Sequence, residues 1–337
     1  MIHDTFVAPL FHVERELDLG EKRFDEAERL NYCRYYALGG MTLKVESDLC
    51  IEDATFHAKF DSFRVDTPGS DIIIIRHHFA LPDLTGEDLG RELYRQVPWA
   101  IYKQGDCYIY LGIAPLADDA TLHCVAKFNS GHTSAIIYHD DVREELWRKG
   151  NLHSLTMFPT DQIVLARLLA DRQGCYLHSS GVVLDGCGVL FAGHSGVGKS
   201  TVMNLLIAAG ERGEMMVEPL CEDRNIVRKM DDGWRVYGTW NHYEQPRVSS
   251  LSAPFGLICF LEQAQENTLT LMTDRKEITR RLLEYLIKPF VTSDWWHKTL
   301  NLIELLVQEV PCYVMRFDKS GNIAGELAKV VESQGKQ

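Results

Sequence analysis

Short apolar runs separated by turn residues dominate the first part of the chain, up to about residue 140. Such runs predict strands over Met41–Glu46, Ala54–Phe60, Asp71–Phe79, Trp99–Lys103, Cys107–Gly112, Thr121–Phe128 and Thr133–Tyr138. Helices are predicted over Lys22–Tyr36, ending at Gly39-Gly40, and over Gly86–Gln96, and Asp140–Asn151 is predicted to be a charged helix or a linker. Residues Gln104-Gly105-Asp106 and Asn129-Ser130-Gly131 are typical of hairpin loops. Residues 1–150 are therefore predicted to form a smaller, mostly antiparallel β-rich domain, with acceptor binding as its candidate role.

Residues 151–337 contain both helical and strand patterns, and they are predicted to form a second domain, the ATP-binding catalytic domain. Helices are predicted over Gln162–Arg172, after a Pro159-Thr160-Asp161 start, and over Glu277–Ile287, Asp294–Glu309 and Ile323–Val331. Strands are predicted over Asn225–Arg228, Trp234–Tyr237, Leu257–Glu262 and Cys312–Phe317. The predicted class is α/β in the mixed α+β sense, with a mixed sheet and flanking helices.

Two apolar runs in the second domain are joined by a strong tight-turn signal. Gly181–Asp185 and Gly188–Ala192 flank Asp185-Gly186, which predicts an antiparallel hairpin. A glycine-rich stretch follows at once, and then a helical pattern over Thr201–Ala209 that closes at Gly210. A loop that follows a hairpin arm differs from the parallel βαβ arrangement of the common motor and GTPase folds.

The glycine-rich stretch Gly193–Ser200, with the sequence GHSGVGKS, fits the phosphate-loop pattern G-x-x-x-x-G-K-[ST] in full. Glycines let successive backbone N–H groups turn toward a phosphate, and the N-terminus of the following helix favours the same anion. Lys199 is placed to reach the β- and γ-phosphates, and Ser200 to ligate Mg²⁺. The predicted nucleotide-binding residues are Gly193, His194, Ser195, Gly196, Val197, Gly198, Lys199, Ser200 and Thr201.

An acidic pair, Glu222-Asp223, is the best candidate for the remaining chemistry of a phosphate site. Asp223 is the predicted Mg²⁺ carboxylate, and either member of the pair is a candidate base for an attacking hydroxyl. The pair would alternatively be a charged turn before a strand. His178, just before the hairpin, is a candidate catalytic residue, although a hydrogen-bonded core histidine fits equally well. His242 and Arg247 are candidates for contact with substrate or transferred phosphate.

Composition narrows the functional classes. The 337 residues carry a net charge of −13, which argues against broad nucleic-acid binding, since that requires a basic face. Nine scattered cysteines without C-x-x-C spacing predict buried thiols rather than disulfides or a zinc site.

The adjacent residues His77 and His78 are not expected to bind a metal together, because neighbouring residues on a strand face opposite ways. With no secretion signal and no apolar stretch long enough to span a bilayer, a cytoplasmic protein without membrane contact is expected.

These motifs together resemble one known family. Leu177–Gly186, Gly188–Thr201 and Cys221-Glu222-Asp223-Arg224 look like the HPr serine kinase/phosphorylase family, and more closely like the HPr-kinase-related proteins that share its catalytic domain. That domain is related to phosphoenolpyruvate carboxykinase, and the resemblance covers roughly residues 159–317. It implies ATP and Mg²⁺ binding, phosphoryl transfer to a serine-type hydroxyl and, by analogy, a homo-oligomer. His178 matches the family histidine before the hairpin, and Glu222 and Asp223 occupy its paired-aspartate position.

This sequence departs from the family pattern at several positions, and three alternative functions are therefore considered. His194 stands where the family often has Asp, Glu222 replaces the first Asp, and Arg247 is the candidate counterpart of a later Arg-containing signature. The leading hypothesis is a kinase that phosphorylates a hydroxyl of a protein, a peptide or a small molecule. A second is an ATP-sensing regulatory module with little turnover. A carboxykinase-like lyase ranks last, because the extra basic and metal-binding residues it needs were not found.

Overall fold

A computed structural model describes residues 32–96, 98–115, 120–157, 161–240, 247–289, 292–318 and 320–334. The fold is mixed α+β with two mixed sheets. Its strands are β1 (Cys33–Leu38), β2 (Met41–Ser47), β3 (Arg64–Val65), β4 (Ile72–His78), β5 (Arg91–Gln96), β6 (Trp99–Gln104), β7 (Cys107–Pro115), β8 (Ala120–Phe128), β9 (Ser134–His139), β10 (Gly174–Leu184), β11 (Cys187–Ala192), β12 (Val217–Pro219), β13 (Arg224–Met230), β14 (Gly233–Tyr237), β15 (Ser252–Gln263), β16 (Thr268–Leu271) and β17 (Cys312–Phe317). Its helices are α1 (Asp141–Lys149), α2 (Gln162–Ala170), α3 (Lys199–Glu211), α4 (Arg275–Tyr285), α5 (Ser293–Glu309) and α6 (Ile323–Gln334), with a 3₁₀ helix over Ala58–Phe63.

The first sheet contains β1 to β9 in the order β3-β1-β2-β4-β9-β8-β7-β6-β5. Strand β4 is parallel to both of its neighbours, β2 and β9, and the other neighbours in the sheet are antiparallel. The mostly antiparallel pairing predicted from the turn signals is therefore confirmed for the strands that hairpins connect. The two parallel pairings bring together strands that are far apart in sequence, which local turn signals do not report.

Three predictions for this part of the chain were wrong. The helix over Lys22–Tyr36 falls largely outside the described residues, but Cys33–Leu38 is a strand that pairs with β2 across the Gly39-Gly40 turn. Residues predicted as a strand over Ala54–Phe60 contain a bridge at Phe56 and then the 3₁₀ helix. The predicted helix over Gly86–Gln96 is instead strand β5 from Arg91, whose partner is β6. In the first and third cases pairing with the next strand along the chain overrides the local helical pattern, and in the second Phe56 bridges Leu152, which is distant in sequence.

The second sheet contains β10 to β17 in the order β11-β10-β13-β14-β15-β17-β16, and β12 pairs with β10. The predicted hairpin of β10 and β11 is confirmed, with left-handed backbone at Asp185 (φ 47°) and Gly186 (φ 83°) in its turn. Strand β11 also lies parallel to β15, so it has a neighbour on each side. Strand β10 begins earlier than predicted, because Gly174–His178 pair with β13. The strand that enters the glycine-rich loop is thus central and rigidly held.

Helices cover the second sheet from two sides. Helices α3 and α6 share a core with β11 and β15 that includes Val202, Leu206 and Leu327. Helices α4 and α5 pack with another face through Leu282 and Ile303. The helices predicted over residues 162–172, 201–209, 277–287, 294–309 and 323–331 are all confirmed, with ends shifted by a few residues.

The apolar core under the first sheet continues into the second part of the chain. Phe60 of the 3₁₀ helix packs with Trp240, and Tyr176 and Ile226 from the second sheet belong to the same buried cluster. Arg172 on one side and Asp71 on the other form a two-pronged ion pair, with nitrogen–oxygen distances of 2.6 and 2.7 Å. The two sheets therefore adjoin through a shared apolar core, and the domain limits 1–150 and 151–337 remain predictions.

Five of the nine cysteines are buried, as predicted for small apolar packing residues. His77 is buried while its neighbour His78 is half-exposed, in line with the opposite orientation expected of adjacent strand residues. Among the described helices, none combines the length and the apolar character that crossing a bilayer requires.

Candidate active site

The glycine-rich loop connects the end of β11 to the start of α3 through a tight backbone curl. Gly196 and Gly198 have φ angles of 80° and 108°, in the left-handed region that glycine enters without strain. A Cβ atom at Gly198 would lie 2.7 Å from the Phe317 ring, and one at Gly193 would lie 2.5 Å from the Val197 side chain. The first amides of α3 have no side-chain cap from Gly198. The loop therefore offers backbone donors at a helix N-terminus, which is the arrangement that binds phosphate.

Lys199 folds back over this curl. Its ammonium donates to the carbonyl oxygens of Gly193 at 2.8 Å and His194 at 3.2 Å, and the residue is 9% exposed. Burial lowers the pKa of Lys199, and the nearby Asp223 carboxylate partly opposes that shift. Ser200 is exposed in the first turn of α3. A phosphate at the loop would give the lysine an anionic partner in place of two carbonyl groups.

The His194 side chain extends from the loop toward α4. Its Nε2 atom lies 2.8 Å from a carboxylate oxygen of Glu284, and its ring packs edge-on against Tyr285 with centroids 5.4 Å apart. Gln263 donates to the carbonyl oxygen of Gly196 at 3.1 Å. The loop is thus supported by side chains from β15 and α4, and the backbone of His194, rather than its ring, belongs to the phosphate curl.

The acidic pair lies in a segment that runs alongside β10. The Ser179 amide donates to the Asp223 carbonyl oxygen at 3.0 Å, and the Gly181 amide donates to that of Cys221 at 2.9 Å. Because β10 also pairs with β11, which leads into the loop, these two bonds fix the acidic pair beside the phosphate curl. The charged turn considered from the sequence is therefore held against the hairpin.

Buried Asn225 locks this segment in place. Its Nδ2 group donates to the Ser179 carbonyl at 2.7 Å and to the Cys221 carbonyl at 3.1 Å, while its Oδ1 accepts from the Cys221 amide at 3.1 Å. Asn225 is fully buried. From the sequence, Asn225 was predicted only as the first residue of a strand, because the hydrophobic pattern does not indicate that its side-chain amide connects two segments.

Asn225→Asp is expected to loosen this bridge, because a carboxylate would face two carbonyl oxygens it cannot bond. A loss of roughly 3 kcal/mol in the free energy of unfolding is expected for a buried group left unpaired and charged. Urea denaturation measures it, with Asn301→Asp on the exposed surface of α5 as the matched control. Equal stability of the two variants would show that Asn225 does not hold the segment.

Asp223 is the member of the pair that faces other ionisable groups of the site. Its Oδ1 lies 3.2 Å from His178 Nε2, and its Oδ2 lies 3.0 Å from Arg224 Nε. Burial raises its pKa, but the His178 hydrogen bond and the charges of Arg224 and Lys199 outweigh burial, and the net shift is downward. Asp223 is therefore ionised at neutral pH.

Glu222 points elsewhere. This buried residue accepts from Arg247 Nη1 at 3.0 Å, and the same guanidinium reaches the Asn204 side chain on α3. Arg247 therefore connects the acidic pair to the helix that follows the loop. Neither Asn204 nor this bridge was predicted, because the two residues and Glu222 lie far apart in the sequence.

The structure brings the glycine-rich loop, Lys199, Asp223 and His178 together, and it places Glu222 and Arg247 beside them. His242 lies outside the described residues. The catalytic, metal-binding and substrate-binding roles assigned from the sequence remain predictions.

The donor set fits Mg²⁺ held jointly with a nucleotide. Asp223 Oδ2 is buried and makes no aligned hydrogen bond, although Arg224 Nε lies 3.0 Å away in ionic contact, and Ser200 offers a hydroxyl near the loop. Over the described ranges, no three His, Cys, Asp or Glu side chains are grouped to hold a metal by themselves. Mg²⁺ is commonly bound by one or two protein groups together with phosphate oxygens, so two donors suffice.

Comparisons with known proteins add a limited finding. No protein-family model matches the chain. No curated protein sequence matches it either. Among solved structures, the chain is similar to the Hpr(Ser) kinase/phosphatase from Coxiella burnetii, with 12% sequence identity and a TM-score of 0.29, over 47% of this chain and 88% of that one. This structural similarity is weak and carries no functional argument.

Proposed function

We propose that this chain is an ATP-dependent phosphotransferase that transfers the γ-phosphate to a hydroxyl group of an acceptor. One observation carries the proposal. The backbone bond between Ser179 and Asp223 holds an ionised carboxylate beside the loop lysine, on the hairpin that leads into the loop. The antiparallel approach to the loop also supports the expectation of a catalytic domain of the HPr kinase and phosphoenolpyruvate carboxykinase kind.

Each group has a role that its surroundings support. The amides of residues 193–200 and the Lys199 ammonium would bind phosphate oxygens. Ser200 and Asp223 would hold Mg²⁺, which would supply positive charge beside those oxygens. Asp223 accepts the proton of the acceptor hydroxyl, since phosphate beside a carboxylate raises its basicity from the low resting value. His178, within hydrogen-bond distance of Asp223, positions that carboxylate.

ATP sensing is the second candidate function. The observation in its favour is the Glu222–Arg247–Asn204 bridge, which fastens the acidic segment and the chain around residue 247 to the loop helix. A nucleotide that moved α3 would move this bridge. Tight ATP binding without phosphate transfer to any component of a cell extract would favour sensing over transfer.

Lys199→Ala is the variant that tests the nucleotide site. A ligand at about 1,000 times its dissociation constant stabilises a protein by about 4 kcal/mol, so Mg·ATP should raise the melting temperature of the unmodified protein clearly. In Lys199→Ala the protein should remain folded and that rise should disappear, because the ammonium no longer pairs with phosphate. Thermal shift measures it.

Lys329→Ala is the matched control, since Lys329 lies on α6 with a side chain that is 72% exposed. It should respond to Mg·ATP as the unmodified protein does. An unchanged ATP response in Lys199→Ala would contradict the proposed site.

A further inference from the structure

Two buried histidines of the first sheet are bonded to each other. His77 of β4 lies opposite Ile137 of β9, two residues before His139, so both histidines are on one face of the sheet. The Nδ1 atom of His77 is 2.8 Å from the Nε2 atom of His139, and both residues are buried. Neither histidine has a role in the proposed phosphotransfer.

The bonds of the neutral pair determine which nitrogen atoms carry protons. His77 Nε2 is 2.8 Å from the Leu155 carbonyl oxygen, which can only accept, so this nitrogen carries a proton. In a neutral ring His77 Nδ1 is then bare, and it accepts from the Nε2–H group of His139. The fourth nitrogen, His139 Nδ1, is therefore also bare. It is buried, and no group in the described ranges bonds it.

A further proton has one place to go while both bonds persist. Each of the two bonds already contains one proton, so a charged pair that keeps both must carry its third N–H group at His139 Nδ1. That atom is buried, and nothing in the part of the chain that the structure describes accepts from it. A buried donor without a partner is costly, and more so on a charged ring. The intact pair therefore disfavours a proton that an exposed histidine accepts.

The surroundings of the pair also oppose a positive charge. Burial lowers the pKa of His77 to about 4. Burial, followed by the charges of His77, Arg143 and His123, holds the pKa of His139 well below its usual value. The Cys124 thiol, opposite His139 on β8, remains neutral because burial raises its pKa to about 12. No negative charge in this set offsets an added proton.

Carboxylates on the adjoining segments already have partners. The pairs are Asp48 with His78, Asp140 with Arg143, and Asp161 with the Leu155 amide, at 2.7, 3.3 and 3.0 Å. A proton on the histidine pair would therefore gain little from these carboxylates while the local structure stays closed.

The Leu155 carbonyl belongs to the segment between α1 and α2, of which residues 151–157 are described; we call these residues the connecting segment. The start of the segment is bonded to Thr55 and His57 through the amide and the carbonyl of Leu152. Its later part is bonded to Asp161. Between these anchors, His77 holds the segment to the first sheet, and losing this bond would leave a buried carbonyl unpaired.

We propose that the His77–His139 pair is an acid-released clasp, which protonation opens so that the connecting segment leaves the first sheet while the second sheet stays folded. This inference goes beyond the proposed phosphotransfer and does not rest on it. The added proton resides on a ring that has turned out to water, and the bond between the two rings is lost. Because a histidine in the closed clasp has a lower pKa than a free one, near 6.5, the closed form is fully stable above that pH and loses stability below it.

Hydrogen exchange of the full chain at pH 7.5 and pH 5.5 measures the opening and needs no variant. An open form that binds one proton more than the closed form becomes about tenfold more populated for each pH unit below 6.5. Exchange in residues 152–156, corrected for the intrinsic effect of pH, should therefore be about tenfold faster at pH 5.5. The amides of β10 should keep their protection. An unchanged corrected rate, or an equal loss of protection in β10, would overturn the proposal.

His139→Gln assigns the response to the pair. Glutamine has no titrating ring but keeps an N–H group that can donate to His77 Nδ1, so the corrected rate should change much less between the two pH values. His297→Gln, on the exposed surface of α5, is the matched control and should keep the full response. A full response in His139→Gln would count against the clasp.

Nitrogen-15 NMR of histidine-labelled protein checks the positions of the protons. At pH 7.5 both rings of the pair should be neutral with the proton on Nε2, and the signals missing or shifted in His139→Gln identify them. A proton on Nδ1 of either ring, or a charged ring at pH 7.5, would contradict the bonding on which the clasp depends.

Discussion

Asp223→Asn is expected to abolish phosphate transfer while the protein stays folded and binds nucleotide. Asparagine keeps the shape of the side chain but removes the negative charge that is proposed to hold Mg²⁺ and to accept the hydroxyl proton. Loss of a positioned general base slows reactions by roughly 10²–10⁴-fold. Transfer of labelled γ-phosphate to components of a cell extract measures the rate, and thermal shift with ATP measures binding.

Glu222→Gln is the matched comparison, because it removes the neighbouring charge. Since Glu222 is engaged by Arg247 and Asp223 contacts His178, we expect this variant to lose far less transfer activity than Asp223→Asn. The opposite order of activities would assign the base to Glu222. Equal and undiminished transfer in both variants would exclude the acidic pair from the chemistry.

The pH dependence follows from the direction of the Asp223 shift. A carboxylate whose pKa is lower in the folded protein than in the unfolded chain contributes stability above its unfolded pKa, near 3.8, and that contribution is lost as the pH falls through the folded value. Asp223 therefore stays ionised from pH 6 to pH 8. Its contribution to the unfolding free energy should be constant across that range.

Asp161→Ala is expected to destabilise the protein more than any other single change considered. The buried carboxylate accepts hydrogen bonds from Leu155, Thr156 and Trp240, and it also accepts from the Ser154 hydroxyl at 2.7 Å. Alanine leaves several of these donors unpaired in the core between the sheets. A loss of roughly 3–5 kcal/mol in the unfolding free energy is expected, by analogy with breaking a buried charged network.

Urea denaturation of Asp161→Ala measures this loss, and Asp231→Ala, in an exposed turn, is the control. A similar midpoint for both variants would mean that the core between the sheets does not depend on the Asp161 carboxylate. Recovery of part of the stability in Asp161→Asn would support hydrogen bonding as the cause, because the amide oxygen still accepts.

Local features of the sequence identified the central hairpin and its loop. Asp185-Gly186 favours a turn with left-handed backbone, and the residues on each side are apolar. These local features were enough to predict the hairpin of β10 and β11. The glycine positions of the loop also follow from local backbone requirements. The order of strand, loop and helix could therefore be predicted without knowledge of the rest of the fold.

Features that depend on strand pairing or on side-chain contacts between segments could not be predicted. Strand β5 is fixed by its pairing with the next strand, β6, although its residues also fit a helix. Asp161 was predicted only as a helix start, but its side chain does not cap α2 and instead bonds residues 154–156 and Trp240. The bridging amide of Asn225 likewise arises only when two chain segments meet.

A crystal structure with Mg²⁺ and adenylyl imidodiphosphate would test most directly whether residues 193–200 bind the triphosphate. We expect the triphosphate inside the curl of residues 193–200, Lys199 on its terminal phosphates, and Asp223 facing the γ-phosphate. A nucleotide bound elsewhere, with Lys199 still bonded to the carbonyl groups of Gly193 and His194, would contradict it.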